Sequence, residues 1–455
     1  MTNFPQYASP STERAVAFRT KRPCLRRGAF ALLLFLAVSI MTGVPRMQGQ
    51  ALPAAEAAPI STGFSLPRTA GTLNWGVSAS ESLTWGYYGN QGAASGTSLT
   101  GDLGFISNSR LYPLSIVASG GRSWANTGEP STGYVSLGLS QVVNVKRWNF
   151  LISDNLSYLP GTPVAGLSGV AGVGDLGASP PGVDTTQGVL TAYSDRISNS
   201  TSGSAQRQLT GKTSFNVSGS YAILRFVGGS NPGLNSGSAS GSAGVSHQFN
   251  GRTSFGGSYS YSRPIYSANS LGATPPAFTS QTASMQFSRQ LTRKLSVSGS
   301  VGPQWTSIDS AGSSPGLSAY ASGSLSYSGQ FAHVSLSYSR GTNSGFGVTG
   351  GSISQSESIS YGQTLARVWS FTATAAYSQA SSLPVANAAY VSFDTTVASA
   401  QVSRAIRRSL SAYASYSFEH QPTGSATAVD VFSGIEQVVG FGVTFSPSSI
   451  HLGSQ

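Results

Sequence analysis

The sequence predicts an all-β chain that closes as a transmembrane, antiparallel up-and-down β-barrel of about eighteen strands, with sixteen as the alternative count. Three observations predict it. Apolar and polar residues alternate with a period of two, as in Leu410, Ala412, Ala414, Tyr416 and Phe418 set between Ser409, Ser411, Tyr413, Ser415 and Ser417. Such a period is a strand with one apolar and one mostly polar face. Only 9% of the residues are charged, where soluble proteins carry about 25%. Short and long connections alternate along the chain, as they do when turns gather on one side of a membrane and loops on the other.

The first segment is different in kind. Arg14, Arg19, Lys21, Arg22, Arg26 and Arg27 precede an apolar, uncharged run from Gly28 to Val44. A basic region, an apolar core and a small-x-small site, either Gly49-Gln50-Ala51 or Ala55-Glu56-Ala57, make an export leader over residues 1–51. Twin-arginine export and a retained anchor helix are the disfavoured alternatives. The single cysteine, Cys24, lies inside the leader, so the exported chain has no disulfide or thiolate chemistry. Seven basic residues and Glu13 also lie there, so the formal +11 falls to about +5 in the remainder. That mild charge excludes nucleic acid as a partner, which needs a clustered basic face. No later segment is apolar for twenty residues, so the chain does not cross a membrane by helices.

Residues 52–72 are Ala/Pro-rich and read as a periplasmic tail. Strands are then expected near 73–88, 97–107, 111–124, 132–144, 147–158, 193–209, 212–226, 238–249, 252–263, 278–291, 294–306, 317–328, 331–340, 352–365, 368–379, 390–405, 408–419 and 433–446. Basic or glycine-containing turns punctuate them at Asn108–Arg110, Val145–Arg147, Gly211–Lys212, Gly251–Arg252, Arg293–Lys294, Gly329–Gln330, Ala366–Arg367 and Arg407–Arg408. From Gly211 onward these turns recur every 36–42 residues or so, the length of two strands and one longer loop. A propeller blade has a similar length but four strands, and the repeat here holds two. Residues 447–455 are left as a second periplasmic tail, and 73–446 form the barrel.

The faces follow strand by strand. Val334, Leu336 and Tyr338 alternate with Ser335, Ser337 and Ser339, and Leu295, Val297 and Val301 alternate with Ser296, Ser298 and Ser300. Aromatics gather at strand ends: Trp148, Phe255, Phe331 and Trp369 by the short turns, and Tyr158, Tyr261, Trp305, Tyr338, Tyr377 and Phe418 by the long loops. Two aromatic belts mark the two membrane–water interfaces. The stretch Gly440-Phe441-Gly442-Val443-Thr444-Phe445 resembles the aromatic-ended last strand by which outer-membrane barrels are recognised, but ten residues follow it.

With that stretch, residues 73–446 resemble porin-like bacterial outer-membrane β-barrels at the level of architecture. The resemblance implies an outer-membrane protein of a Gram-negative cell that meets lipopolysaccharide and the barrel-assembly machinery, with a homotrimer among the arrangements such barrels adopt. A lumen lined by Ser, Thr, Asn and Gln, with few charges such as Asp102, Lys212, Asp394 and Glu436, is expected to pass small polar solutes passively with weak ion selectivity. The alternatives are an exopolysaccharide export barrel and a plugged surface or adhesin-type barrel.

Three groups of charged residues are singled out. Arg122, Arg225, Arg263 and Arg340 share the apolar phase at the loop ends of rising strands, and are expected to form a collar facing lipopolysaccharide phosphates, or simply to snorkel. Glu81 and Asp154 share that phase at mid-strand, as does Glu357. A carboxylate facing lipid is costly, so either a bulge shifts the phase or Glu81 and Asp154 mark a subunit interface. The longest connection, Leu159–Ala192, carries Asp175 and Asp184; these could narrow the pore opposite Arg196, as the third loop does in porins. No catalytic residue, cofactor or metal site is expected. Gly172–Gly177 and Gly345–Gly350 match a dinucleotide pattern, and Gly312–Gly316 a hydrolase elbow, without the strand-to-helix setting either needs. His247, His333, His420 and His451 have no ligand spacing.

Overall fold

A computed structural model of the chain describes residues 71–86, 94–109, 112–125, 132–159, 195–227, 234–267, 275–309, 316–344, 350–383, 391–422 and 434–452. All of them belong to one compact unit, Ala51–Gln455. The leader expected over 1–51 and most of the first tail fall outside them.

Eighteen long strands follow in chain order: β1 (Gly71–Trp85), β2 (Ala94–Ser107), β3 (Leu114–Ala125), β4 (Thr132–Val145), β5 (Trp148–Leu159), β6 (Asp195–Gln208), β7 (Thr213–Val227), β8 (Ser236–Asn250), β9 (Thr253–Tyr266), β10 (Phe278–Gln290), β11 (Leu295–Ile308), β12 (Gly316–Ser328), β13 (Ala332–Asn343), β14 (Ser352–Leu365), β15 (Trp369–Ser382), β16 (Ser392–Arg407), β17 (Leu410–Gln421) and β18 (Gly434–Phe445). Each pairs antiparallel with its chain neighbours, and β1 pairs with β18 from Val77–Phe445 to Trp85–Gln437. That last pairing closes the sheet into a barrel and removes both edges. The strand count and the boundaries agree with the sequence reading to within a few residues.

One element was not foreseen. Ile450–Leu452 forms a short β19 that pairs with Gly71–Leu73 at the start of β1. Pro447 in the intervening Ser446–Ser449 stretch has no N–H to give a ladder, so the strand stops at Phe445 and resumes beyond it. Another proline, Pro303, sits in the middle of β11. The β10–β11 ladder skips Ala283 and Ser284 there and resumes in the same register at Thr282–Gln304 and Met285–Val301. Gly302 makes the gap possible: a Cβ at that position would lie 1.8 Å from the carbonyl oxygen of Ala283.

Every strand presents two alternating phases. One carries hydroxyls that meet across strands: Ser80–Ser98, Ser218–Ser242, Ser298–Ser324 and Ser337–Ser358 are bonded Oγ to Oγ at 2.6–2.7 Å. The other phase carries large apolar side chains that are widely exposed, with Met285 at 64% and Val301, its cross-strand partner, at 61%. A protein in water rarely exposes so large a continuous apolar surface.

The buried apolar cluster is off-centre, at the long-loop end. Leu234, Tyr266, Phe278 and Leu383 pack together with Ile308 and Ile353 beside them. These residues come from the loop ends of β8–β11 and β14–β15, strands that are not all neighbours in the wall. The β12–β13 ladder ends at Ala321–Arg340, while β12 goes on pairing with β11 up to Gly316. Past the end of that ladder β11 and β13 meet directly, and the Gln304 Oε1 atom accepts from the Thr342 backbone N–H at 3.0 Å. Tyr266 reaches further and donates its hydroxyl to the Ser344 carbonyl at 3.1 Å.

Candidate functional site

The barrel interior and its two rims are where a function can reside. Along β8–β13 a hollow of about 460 Å³ is lined mostly by the hydroxyl phase, including Ser246, Ser254, Gln286, Ser288, Ser298 and Ser300, and is also touched by Phe255, Phe287 and Tyr338 of the other phase. Tyr266 and Phe278, which make the contacts between non-neighbouring strands, belong to the same phase by register: Tyr266 faces Ser236, and Phe278 lies two residues from Ser280.

Arg196 is in the hydroxyl phase of β6 and is only 7% exposed. Asp175 and Asp184 lie outside the described residues, so the constriction remains a sequence expectation. Of the charges expected in the lining, Asp102 and Glu436 are in the hydroxyl phase. Asp394 is not. It pairs with Gln379 in the opposite phase, between Phe393 and Thr395. Lys212 sits in the exposed turn before β7.

Sequence reasoning missed the environment of Glu436. The register sets it directly opposite Glu419 across β17–β18. Both are buried, at 2% and 6% exposure, beside the fully buried Gln421, whose Oε1 accepts from Thr395 at 2.7 Å. The Glu436 Oε2 atom has no hydrogen-bond partner among the described residues. Two carboxylates at positions 419 and 436 of one hairpin could have been matched from the sequence, but only with the register known.

The four collar arginines lie in the apolar phase toward the long-loop ends of β3, β7, β9 and β13. Arg122 stacks over Trp124 with 5.9 Å to the ring centroid, and Arg225 donates to the Ser267 hydroxyl at 3.2 Å. Arg263 forms an ion pair with Asp309 at 3.2 Å, both about half exposed. Arg340 donates to Gln355 Oε1 at 3.3 Å.

Glu81, Asp154 and Glu357 overturn one explanation offered for them. The pairing runs through all three without a register shift, so no bulge moves them to the other phase. Neighbouring donors satisfy them instead. Glu81 accepts from the Thr97 hydroxyl at 2.6 Å, and Asp154 from the Thr201 hydroxyl at 2.5 Å and the Asn199 amide at 3.2 Å. Glu357 accepts from the Gln355 amide at 3.2 Å. A hydrogen-bonded carboxylate is far less costly to hold in an apolar belt than a bare one.

The short-turn rim holds two further pairs that the sequence reading named only in part. Trp148 opposes Arg207 and Trp369 opposes Arg404, with each guanidinium carbon 5.4 and 5.3 Å from its ring centroid. The tryptophans were expected as interfacial anchors; their arginine partners follow only from the register.

A closed, antiparallel barrel of eighteen long strands is the architecture of porin-like outer-membrane barrels. No protein-family model matches the chain, and no curated protein matches it. Solved structures similar to it include three Pseudomonas aeruginosa proteins. OccK2 (OpdF) is 11% identical with a TM-score of 0.42, over 84% of this chain and 98% of that one. OpdQ is 9% identical with a TM-score of 0.40, and OccK1 (OpdK) 10% identical with 0.39; each covers 83% of this chain, and 98% and 99% of its own.

Proposed function

We propose that this protein is an outer-membrane channel through which small, polar, weakly charged or neutral solutes diffuse passively. One observation carries the reading: around the wall, one phase is paired hydroxyls and the other is exposed aliphatic and aromatic surface. An apolar belt is stable facing hydrocarbon, and hydroxyls are stable facing water, so the favourable placement is apolar outward and hydroxyl inward. The cross-wall contacts of Tyr266 and Phe278 support the same sense. A barrel of this strand number encloses room for water, and a hydroxyl lining offers exchangeable hydrogen bonds without trapping an ion.

On the same reading Arg122, Arg225, Arg263 and Arg340 form a collar for lipopolysaccharide phosphates. Neutral substitution of all four is then expected to raise outer-membrane permeability to dyes, and unchanged permeability overturns the collar. Glu81 and Asp154 are left as candidates for a contact between copies of the chain. The apolar cluster at the long-loop end favours a second reading, a barrel narrowed or plugged there. Planar-bilayer recording decides between the two. A stable, weakly ion-selective conductance that falls when neutral sugars are added supports the open channel; a folded, inserted protein with no conductance supports the plug.

A further inference from the structure

The charges in the connections between strands are segregated by sign. Every charged residue in the connections at the short-turn end is Lys or Arg, among them Lys146, Arg147, Lys212 and Arg252. Every charged residue in the connections at the other end is Asp or Glu: Glu129, Asp175, Asp184, Asp309 and Asp430. Carboxylates do not approach the short-turn rim along the strands. Asp102 is five residues before the end of β2, and Asp154 is six residues into β5. The described basic side chains of this rim are exposed. Among the described residues the rim is therefore a positive ring with no carboxylate at its own level.

Three arginines make that ring face sideways. Arg207, Arg289 and Arg404 lie near the ends of the descending strands β6, β10 and β16, in the same phase as the exposed apolar residues. Arg207 and Arg404 each lie over the tryptophan that opens the preceding strand, Trp148 in β5 and Trp369 in β15. Arg289 neighbours the cross-strand pair Phe255–Phe287. A guanidinium held over an indole keeps its N–H edge free for a bidentate phosphate, and the ring fixes it at the depth where tail meets headgroup. A free solute anion would be better met by basic side chains in the hydroxyl phase, so the geometry favours lipid.

We infer that the short-turn rim binds anionic phospholipid headgroups, with the Trp148–Arg207 and Trp369–Arg404 pairs each seating one phosphodiester. This rests on the reading of the apolar phase as lipid-facing. The test uses the chain with Trp75, Trp85, Trp124 and Trp305 changed to Phe, inserted in phosphatidylcholine vesicles. Quenching of Trp148 and Trp369 is compared between brominated phosphatidylglycerol and brominated phosphatidylcholine. The expected preference for phosphatidylglycerol is about fivefold for each arginine engaged, falling to near one in R207Q/R404Q. Millimolar inorganic phosphate should leave it unchanged.

Equal quenching by the two lipids, or a preference that survives R207Q/R404Q, overturns the inference. Loss of the preference to inorganic phosphate also overturns it, because the site is then one for free anions. Should the four-tryptophan variant not fold, the difference between the unmodified chain and W148F/W369F reads the same two positions. Failure of the membrane reading looks different: no heat-modifiable, vesicle-inserted form appears even in phosphatidylcholine.

Discussion

Two substitutions one residue apart in β11 test the assignment of the faces. Val301 is 61% exposed, sits midway along the strand and pairs with Met285, which is 64% exposed. Ser300 precedes it, in the hydroxyl phase, and bonds Ser322 at 2.7 Å. Arg at a lipid-facing midplane position costs about 2–4 kcal/mol, a factor of roughly 30 to 700 in the folding equilibrium. Val301→Arg is therefore expected to lower stability by that amount. Ser300→Arg gives up one neutral hydrogen bond, about 1 kcal/mol, while the new charge stays in water. Reversible urea unfolding into phospholipid vesicles, followed by the heat-modifiable gel shift, measures both. Channel recording adds an independent signature, since Ser300→Arg should shift ion selectivity toward anions and Val301→Arg should not. Equal destabilisation by the two variants, or the larger loss at Ser300, would refute the face assignment.

Other expectations follow from the same geometry. Phe278→Ala empties a site that is 1% exposed; it should cost about 3–5 kcal/mol and raise single-channel conductance by loosening the long-loop end. Glu436→Gln removes one of two buried carboxylates that face each other in register. It should raise the urea midpoint by an amount equivalent to about 1–3 kcal/mol, and a lower midpoint would mean the charge is held by an attractive partner. Gly302→Ala places a Cβ against the Ala283 carbonyl, and should destabilise by about 1–3 kcal/mol. Gly299→Ala, whose Cβ would stand 3.2 Å from the Ser322 carbonyl, should cost less than half as much. Matching losses at the two glycines would undo the explanation of the Pro303 gap.

Much of the fold is legible in the chain because alternation is a local signal. The run from Ser409 to Phe418 declares a strand and its two faces without any partner, and repeated basic turns mark where each hairpin reverses. Strand number, order and connection lengths follow from that repetition, since chain neighbours in an up-and-down barrel are also spatial neighbours. The apolar phase of Arg122, Arg225, Arg263 and Arg340 was readable for the same reason. The fate of Glu81 and Asp154 was not. Alternation says which phase a carboxylate occupies, but only the partner strand says that Thr97 or Thr201 stands ready to donate to it.

Tertiary structure decided whatever depends on residues distant in sequence being matched one to one. Closure joins Val77 to Phe445, and β19 finds the start of β1, across nearly the whole chain. The gathering of Leu234, Tyr266, Phe278 and Leu383, and the opposition of Glu419 to Glu436, depend on where the β12–β13 ladder ends and on the register of each hairpin. Serine-rich strands specify register weakly, because a shift by two residues keeps every hydroxyl on its own face. The seat of Arg207 on Trp148 has the same origin: composition supplied both side chains, and the ladder between β5 and β6 set one over the other.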